Sequence, residues 1–342
     1  MRRISALFST ISIVLHALAS PVAKTSSSDD VPTANWLTAP QGQKTLPRMA
    51  ESTPLDGAQR KEILYGPYTV SKTQMFQKKE SSPEAPCSQC FVTSMEATLK
   101  FDDGREATTA QHGAWLHHIF LVTRVGLFPQ PIWAAGNERP TLRLNSEVNK
   151  FGIDFPGNFT MAIDLMSEAP QPLDLKLSIT YEYILKSQPE AKDYRGSVVL
   201  WNDIGNVDAQ DGAYSFTSWN QTAPVSGKLL YAMGHMHDGG DKTVLYINNE
   251  IRCTSIMSYN AHPGYGASTI GNATHHSHGA AKEMHISDPG VCFDFGSVKA
   301  GDGMYTRVFY DTDKYPLHSH GGVREKLMGI MRVFVGPDGE GG

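Results

Sequence analysis

The sequence predicts an all-β fold built from two tandem antiparallel β-sandwich (jelly-roll-like) domains. Short alternating or apolar segments follow one another from residue 62, glycine, proline, asparagine and aspartate separate them, and no segment keeps an apolar repeat of helical period. Many short strands with such turn residues between them are typical of sandwiches. The predicted strands are residues 63–71, 90–100, 115–125, 159–165, 173–185, 196–201, 227–233, 243–248, 304–310 and 327–335.

A polar stretch that contains a proline, KSQPEAKDYRG, divides these strands into two groups. We therefore expect an N-terminal sandwich at 62–190 and a C-terminal sandwich at 191–336. Residues 20–61 are rich in Ser, Thr, Pro, Lys and Gln and predict a flexible leader, and the last residues, 337–342, predict a frayed tail.

The first 19 residues, MRRISALFSTISIVLHALA, have the features of a secretory signal peptide. Two arginines precede an apolar run that is too short to span a bilayer, and Ala-Leu-Ala forms a cleavage site. No other stretch is long and apolar enough for membrane insertion. We therefore expect a secreted, extracellular protein. Its three Asn-X-Thr sequons predict surface glycosylation at Asn158, Asn220 and Asn272.

An even set of four cysteines in a secreted chain predicts disulfides rather than thiol chemistry. Proximity suggests that Cys87 pairs with Cys90 and Cys253 with Cys292, although the sequence alone leaves the other connectivities open. The net charge is −5 and the lysines and arginines are scattered. This distribution argues against nucleic acid or an anionic membrane as a partner.

Two histidine pairs carry the chemistry that the sequence suggests. His235 and His237 are two residues apart in a strand, so both can point to one face and bind one metal ion. His117 and His118 are neighbours, which normally face opposite sides. They can bind one ion only if the backbone bends or the ion sits at the strand end; otherwise one lies in the core and one outside. His112 lies just upstream.

Other histidines and two methionines are weaker candidates. His318 and His320 precede a Gly-Gly turn and are possible pocket residues. A thioether beside imidazoles selects copper, especially Cu(I), whereas methionines alone are more often core residues. These methionines are Met328 and Met331. The loop that begins at the Asn272 sequon holds four more histidines, and the sequon argues for a solvated loop: His275, His276, His278 and His285.

The order of these motifs resembles the copper type II, ascorbate-dependent monooxygenases, the group of peptidylglycine hydroxylase and dopamine β-hydroxylase. "WLHHIFLV", "GHMHDGG" and "HSHGGVREKLMGIMRVFV" carry the resemblance over roughly residues 62–336. It implies that His117 and His118 bind an electron-transfer copper, and that His235, His237 and Met328 form the catalytic copper site. "CSQC…DDG…GAWLHH" looks closer to secreted proteins of the stress-up-regulated nodulin branch.

Three departures from the enzymes stand out. They have a third electron-transfer histidine where this chain has "LKLSITYEYIL", so that site is absent, weak, or completed by His112. Met233 replaces an arginine of the peptide-amidating enzymes, which argues against amidation. Gly329 replaces a cysteine after the methionine ligand. Arg332 is a candidate anchor for an acidic substrate or a solvent-facing strand residue.

The resemblance implies a secreted monooxygenase that hydroxylates an activated C–H bond of a small organic substrate. Its partners would be that substrate and O2, and its cofactors one or two copper ions with an ascorbate-like reductant. The alternative is a non-catalytic copper-binding, stress-associated protein on the same scaffold. A wall- or glycan-binding β-sandwich without metal is a third possibility, but it leaves His235, His237 and Met328 unexplained.

Overall fold

The computed structural model describes residues 24–26, 46–72, 75–125, 127–268, 284–320, 323–324 and 326–339. The predicted signal peptide, the Asn272 sequon, and the histidines at 275, 276 and 278 lie outside the described residues. The other two sequon asparagines, Asn158 and Asn220, are both exposed. None of the helices in the described ranges is long and apolar enough to cross a membrane.

The described chain forms 25 strands, one α-helical turn and two short 3-10 turns. The helical turns are α1 (Thr109–His112) and the 3-10 turns Met49–Glu51 and Pro189–Asp193. The strands of the first half are β1 (Lys24–Ser26), β2 (Gln59–Val70), β3 (Phe76–Ser81), β4 (Cys90–Lys100), β5 (Ala114–Val125), β6 (Phe128–Gly136), β7 (Leu142–Arg143), β8 (Phe151–Asp154), β9 (Thr160–Ser167) and β10 (Leu173–Leu185). The remaining strands are β11 (Arg195–Gly196), β12 (Val198–Asp203), β13 (Ala213–Thr217), β14 (Gln221–Thr222), β15 (Gly227–Met236), β16 (Gly240–Ile247), β17 (Glu250–Ile256), β18 (Ser258–Tyr259), β19 (Ile286–Asp288), β20 (Val291–Phe293), β21 (Ser297–Val298), β22 (Gly303–Asp311), β23 (Ser319–His320), β24 (Val323–Arg324) and β25 (Gly329–Pro337).

Four sheets make up the body of the protein. The first has the order β11-β8-β4-β10-β2 with β7 beside β4, and the second has the order β3-β9-β5-β6. The third has the order β12-β25-β15-β20 with β21 beside β15, and the fourth has the order β1-β13-β22-β16-β17 with β14 beside β22. Nearly all pairs are antiparallel, and the sheets are arranged as the four blades of a propeller-like ring.

The predicted strands agree with the structure, but the predicted arrangement as two tandem jelly-roll sandwiches was wrong. The third sheet is buried on both faces rather than belonging to one sandwich. Leu230 and Met233 of β15 join the large core made by the first two sheets, whereas Leu229 and Ala232 join a second core with β16 and β22. Alternation of apolar residues shows that a strand face is buried, but not which sheet covers it. The boundary between 190 and 191 stays a prediction.

Both predicted disulfides form, Cys87 with Cys90 and Cys253 with Cys292. The second links β17 to β20 and so joins the fourth sheet to the third. Its sulfurs lie in the second core, since Cys253 and Cys292 are each 1% exposed. The pairing inferred from proximity is confirmed.

Helix α1 fixes the start of the strand that carries the first histidine pair. The Thr108 side chain accepts a hydrogen bond from the Gln111 backbone N–H, and Gly113 ends the turn in the left-handed conformation at φ +62°. Strand β5 begins at the next residue. His112 lies inside this turn, where its Nδ1 accepts from the Thr108 backbone N–H at 3.1 Å and its ring packs edge-on against Phe101.

Candidate metal centre

The structure brings the two histidine pairs together at one pocket. His117 and His118 come from β5, His235 from β15, and His237 from the residue after β15. The ring centroids of His118 lie 4.1 Å from His117, 5.1 Å from His235 and 5.5 Å from His237. We call these four residues the four-histidine cluster. Donor nitrogens of His117, His118 and His237 lie within 4.8 Å of one another.

A β-bulge allows the neighbouring histidines of β5 to reach the same cluster. In the pairing of β5 with β9, Leu116 lies opposite Leu165 and His118 opposite Asp164, so His117 is an extra residue on one strand. Such a bulge bends the strand and changes the direction of the side chains around it. It is the backbone bend that the sequence required if both histidines were to bind one ion.

The contact between His118 and His235 has the dimensions of two ligands of one ion. Their Nε2 atoms are 3.1 Å apart. Two nitrogens that each lie about 2.0–2.1 Å from a metal are about 2.9–3.4 Å apart for angles of about 90–110°. Because two lone pairs at 3.1 Å repel each other, a proton or a cation belongs between them.

A buried carboxylate sets the orientation of His235. Its Nδ1 lies 2.7 Å from Glu138 Oε1, so the imidazole donates to the carboxylate and its Nε2 keeps the lone pair that faces His118. Burial alone would raise the pKa of the Glu138 carboxyl, but His235 and Arg332 hold that pKa below its ordinary value. Glu138 therefore stays an acceptor. Nothing in the local sequence marks Glu138, because it meets His235 from 97 positions away.

His237 is oriented in the same way by a backbone carbonyl. Its Nδ1 donates to the carbonyl oxygen of Lys326 at 2.8 Å. Tyr259 supports the turn that follows: its hydroxyl accepts from the Gly239 N–H at 2.9 Å and donates to the Gly240 carbonyl at 2.8 Å. Gly239 has φ +94°, a conformation that glycine adopts without strain.

The cluster is electrostatically prepared for a cation. Burial, and then the neighbouring histidines, hold the pKa of His118 well below its ordinary value, so its imidazole is neutral. Neutral imidazoles are the form that binds metals. Asp164 lies behind it, with a carboxylate oxygen 3.7 Å from His118 Nδ1. Burial raises the pKa of that carboxyl and the nearby His117 lowers it, with a net increase.

Met328 and His112 are placed differently from the four-histidine cluster. The β15–β25 register ends with Met236 opposite Gly329, so Met328 directly precedes β25, and it is not among the described residues that line the pocket. The Met328 carbonyl accepts from the Tyr310 hydroxyl at 2.7 Å, but Met166 and Met236 are the described methionines that line the pocket. His112 does not line it. Met331 is fully buried in the second core.

The residues of β10 that occupy the place of the enzymes' third electron-transfer histidine lie away from the pocket. Tyr181 is fully buried, and its hydroxyl is 3.0 Å from that of Tyr65. Glu182 pairs with Arg60 and Arg143 at 2.8 and 2.9 Å. Strand β10 therefore contributes no ligand to the pocket in the described part of the chain.

Arg332 is neither solvent-facing nor directed into the histidine pocket. It is 4% exposed, lies opposite Met233 in the β15–β25 pairing, and donates to Met233 Sδ and to the Ala134 carbonyl. Burial lowers the pKa of its guanidinium, and Tyr231 and Glu138 oppose that shift. Its position behind Glu138 suits a structural cation rather than a substrate anchor.

A second group of side chains continues the pocket wall. Trp115 and Ile286 line it with His318 and Asp238. Asp238 Oδ2 lies 2.7 Å from His285 Nδ1, and the His285 ring packs edge-on against Trp115 with centroids 4.4 Å apart. The sequence suggested His318 as a pocket candidate but placed His285 in a solvated loop, whereas His285 is 1% exposed, and it did not single out Asp238 or Trp115.

Comparisons with known proteins give one informative match. No family model matches the chain. Solved structures of similar extent include N-glycanase F (PNGase F), 11% identical with a TM-score of 0.38 over 82% of this chain and 97% of that one. Another is the STIV MCP, 7% identical with a TM-score of 0.37 over 81% of this chain and 96% of that one. Likenesses this small carry no argument about function.

The informative match is a curated protein from Phoma sp. named "Probable copper-dependent oxygenase M1". It is 26% identical over 297 residues, which cover 80% of this chain and 72% of that protein. Its name agrees with the chemistry that a pocket of four converging imidazoles offers. The similarity supports a copper oxygenase family for this chain.

Proposed function

We propose that the protein is a secreted, copper-dependent monooxygenase that uses O2 and an ascorbate-like reductant to hydroxylate an activated C–H bond of a small organic substrate. The observation that carries this proposal is the four-histidine cluster, in which two sequence-distant pairs share one pocket. The motif order and the Phoma protein's name support copper and O2. Cleavage of residues 1–19, glycosylation and membership of the nodulin-like branch belong to the same proposal.

The residues present fit copper. The donors are imidazoles, the thioethers of Met166 and Met236 line the same pocket, and imidazole with thioether favours copper over magnesium or calcium. His117, His118, His235 and His237 would hold the metal. Copper, when bound, supplies one-electron redox chemistry and a place for O2 to bind.

The chain's own residues orient the ligands and shape the pocket. Glu138 and the Lys326 carbonyl accept the Nδ1 protons of His235 and His237, which fixes both rings. Trp115, Met166 and Ile286 provide apolar parts of the pocket wall. No lysine or arginine is among the described residues that line the pocket. We therefore propose an uncharged or cationic substrate, in agreement with the absence of an amidation arginine at Met233.

One observation favours the second candidate, a secreted copper-binding protein without turnover. The two histidine pairs meet in one cluster, whereas the resemblance implies a separate electron-transfer copper at His117 and His118. Without that separate centre, each electron would have to come directly from an external reductant. The two candidates share the metal site and differ in the consumption of O2.

The deciding experiment measures O2 consumption by copper-loaded, desalted protein with ascorbate. The oxygenase proposal expects reductant-dependent consumption that is lost in His118→Ala and kept in His112→Ala, since His112 lies outside the pocket. Copper retained without O2 consumption in the wild type would instead favour the binding role. Absence of bound copper would exclude both.

The substitution Gly136→Ala is expected to weaken copper binding by about 10- to 100-fold, the loss typical when a ligand's outer hydrogen-bond partner is disturbed. A methyl group there would lie 2.5 Å from Glu138 Oε2 and 2.9 Å from His235 Cε1. Competition with a Cu(I) chelator measures the effect. Gly157→Ala is the matched control, because its methyl group would have no atom closer than 3.5 Å. Equal affinities would contradict the role of the Glu138–His235 contact.

A further inference from the structure

A second group of donors adjoins the four-histidine cluster. Asp238, His285 and His318 each offer one ligand atom, and these atoms lie within 4.8 Å of one another. They come from the turn after β15, the residue before β19 and the residue before β23. Asp238 directly follows His237, so the two groups share a wall of the pocket.

Contacts with the surrounding protein hold these donors in place. Asp238 Oδ1 accepts from the Ile286 backbone N–H at 3.0 Å, and Oδ2 lies 2.7 Å from His285 Nδ1. Trp115 packs against both imidazoles, with ring centroids 4.4 Å from His285 and 5.5 Å from His318. Trp115 is itself fixed, because its Nε1–H donates to Glu168 at 3.0 Å. Ligands held in this way lose little freedom when an ion binds.

Two of the three donors are shielded from water, and the third, His318, is half-buried. His285 is 1% exposed, and the Asp238 side chain is 8% exposed. A carboxylate in such surroundings needs a positive partner nearby, and an ion bound by the carboxylate and both imidazoles would supply one.

We propose that Asp238, His285 and His318 form a second metal site that binds a divalent first-row ion such as Zn²⁺ or Cu²⁺. Two imidazoles and a carboxylate are harder donors than four imidazoles, so this site favours a divalent ion, whereas the four-histidine cluster suits Cu(I). The carboxylate oxygen and the imidazole nitrogens are of the types that bind zinc at about 2.0–2.2 Å. The site exists whether or not the four-histidine cluster supports turnover.

The test counts Zn²⁺ bound per chain after equilibrium dialysis of the full-length protein against Zn²⁺ alone. His318→Ala is expected to lose one equivalent relative to the wild type, and Asp238→Asn is expected to lose the same one. His262→Ala is the matched control: its half-buried ring stacks on Tyr265 with centroids 4.1 Å apart, outside both groups, and it should keep the wild-type count. Far-UV circular dichroism confirms that each variant is folded.

Variants of the two sites distinguish a failure of the second metal site from a failure of the proposed function. His118→Ala should remove copper from the four-histidine cluster without changing the equivalent that depends on His318. Combining His118→Ala with His318→Ala should remove both metals. A folded His318→Ala variant that binds as much Zn²⁺ as the wild type would overturn the second site and leave the oxygenase proposal intact. A wild-type protein that binds Zn²⁺ at the second site but no copper at the four-histidine cluster would contradict the oxygenase proposal alone.

Discussion

Replacing His235 with alanine is expected to lower Cu(I) affinity by more than about 100-fold, beyond the 10- to 100-fold cost of losing an outer hydrogen-bond partner. The change removes the nitrogen that lies 3.1 Å from His118 Nε2. It also leaves the buried Glu138 carboxylate without the imidazole that it holds at 2.7 Å. Competitive titration with a Cu(I) chelator measures the affinity.

The matched control for this variant is His112→Ala. His112 is also a histidine near β5, but it bonds to Thr108 and packs on Phe101 instead of lining the pocket. We expect that it keeps the wild-type affinity. Urea unfolding of both variants separates loss of a ligand from loss of the fold, because removing one partner of a buried pair also destabilises. If the two variants bound copper equally well, the cluster would not be the copper site.

The largest effect on stability is expected for Glu182→Ala, which should lower the free energy of unfolding by about 3–5 kcal/mol. Glu182 is fully buried and accepts hydrogen bonds from Arg60 and Arg143. Removing it leaves two partly buried guanidinium groups without their shared carboxylate. Urea denaturation monitored by tryptophan fluorescence measures the change.

Two further variants make the Glu182 result specific. Glu182→Gln keeps the shape and removes the charge, so it should recover part of the loss. Glu190→Ala changes an exposed glutamate in the Pro189–Asp193 turn and should stay within about 0.5 kcal/mol of the wild type. A Glu182→Ala variant as stable as Glu190→Ala would show that the ion pairs contribute nothing net.

Glu182 also illustrates what the sequence could not reveal about the site. Its segment aligns with the strand that carries a third histidine in the resembling enzymes, so it suggested a damaged electron-transfer centre. In the structure this strand holds an ion-pair network in the first sheet, away from the pocket. Spacing along the chain identified the strand, but the position of the strand relative to the histidines depends on sheet packing.

The alternation of side chains along a strand correctly predicts the direction of one histidine pair but not of the other. The period of a strand placed His235 and His237 on one side, and both line the pocket. The same rule predicts opposite directions for His117 and His118, and only the bulge at His117 brings both to the cluster. A bulge depends on the partner strand, so one strand read alone does not reveal it. Glu138 and Asp238 were missed for a similar reason, because their partners are distant in sequence.

The all-β character and many of the strands were predicted from the sequence. Alternating apolar residues located ten strand segments but missed others, β3, β6 and β17 among them, and the two disulfides followed from proximity. The arrangement of sheets was wrong, because β15 and β25 carry apolar residues for two different cores. Met233 and Phe334 face one core, and Leu229 and Val333 face the other.

That double burial makes unfolding of the two halves interdependent. If the sheets on one side melted, the β15 and β25 residues of that core would be exposed to water while their neighbours stayed packed, at a cost that grows with the apolar area uncovered. The intermediate with one half folded is therefore disfavoured, and the chain should melt in a single cooperative transition. The strand that carries His235 lies in this shared sheet, so the pocket persists or disappears with the whole molecule.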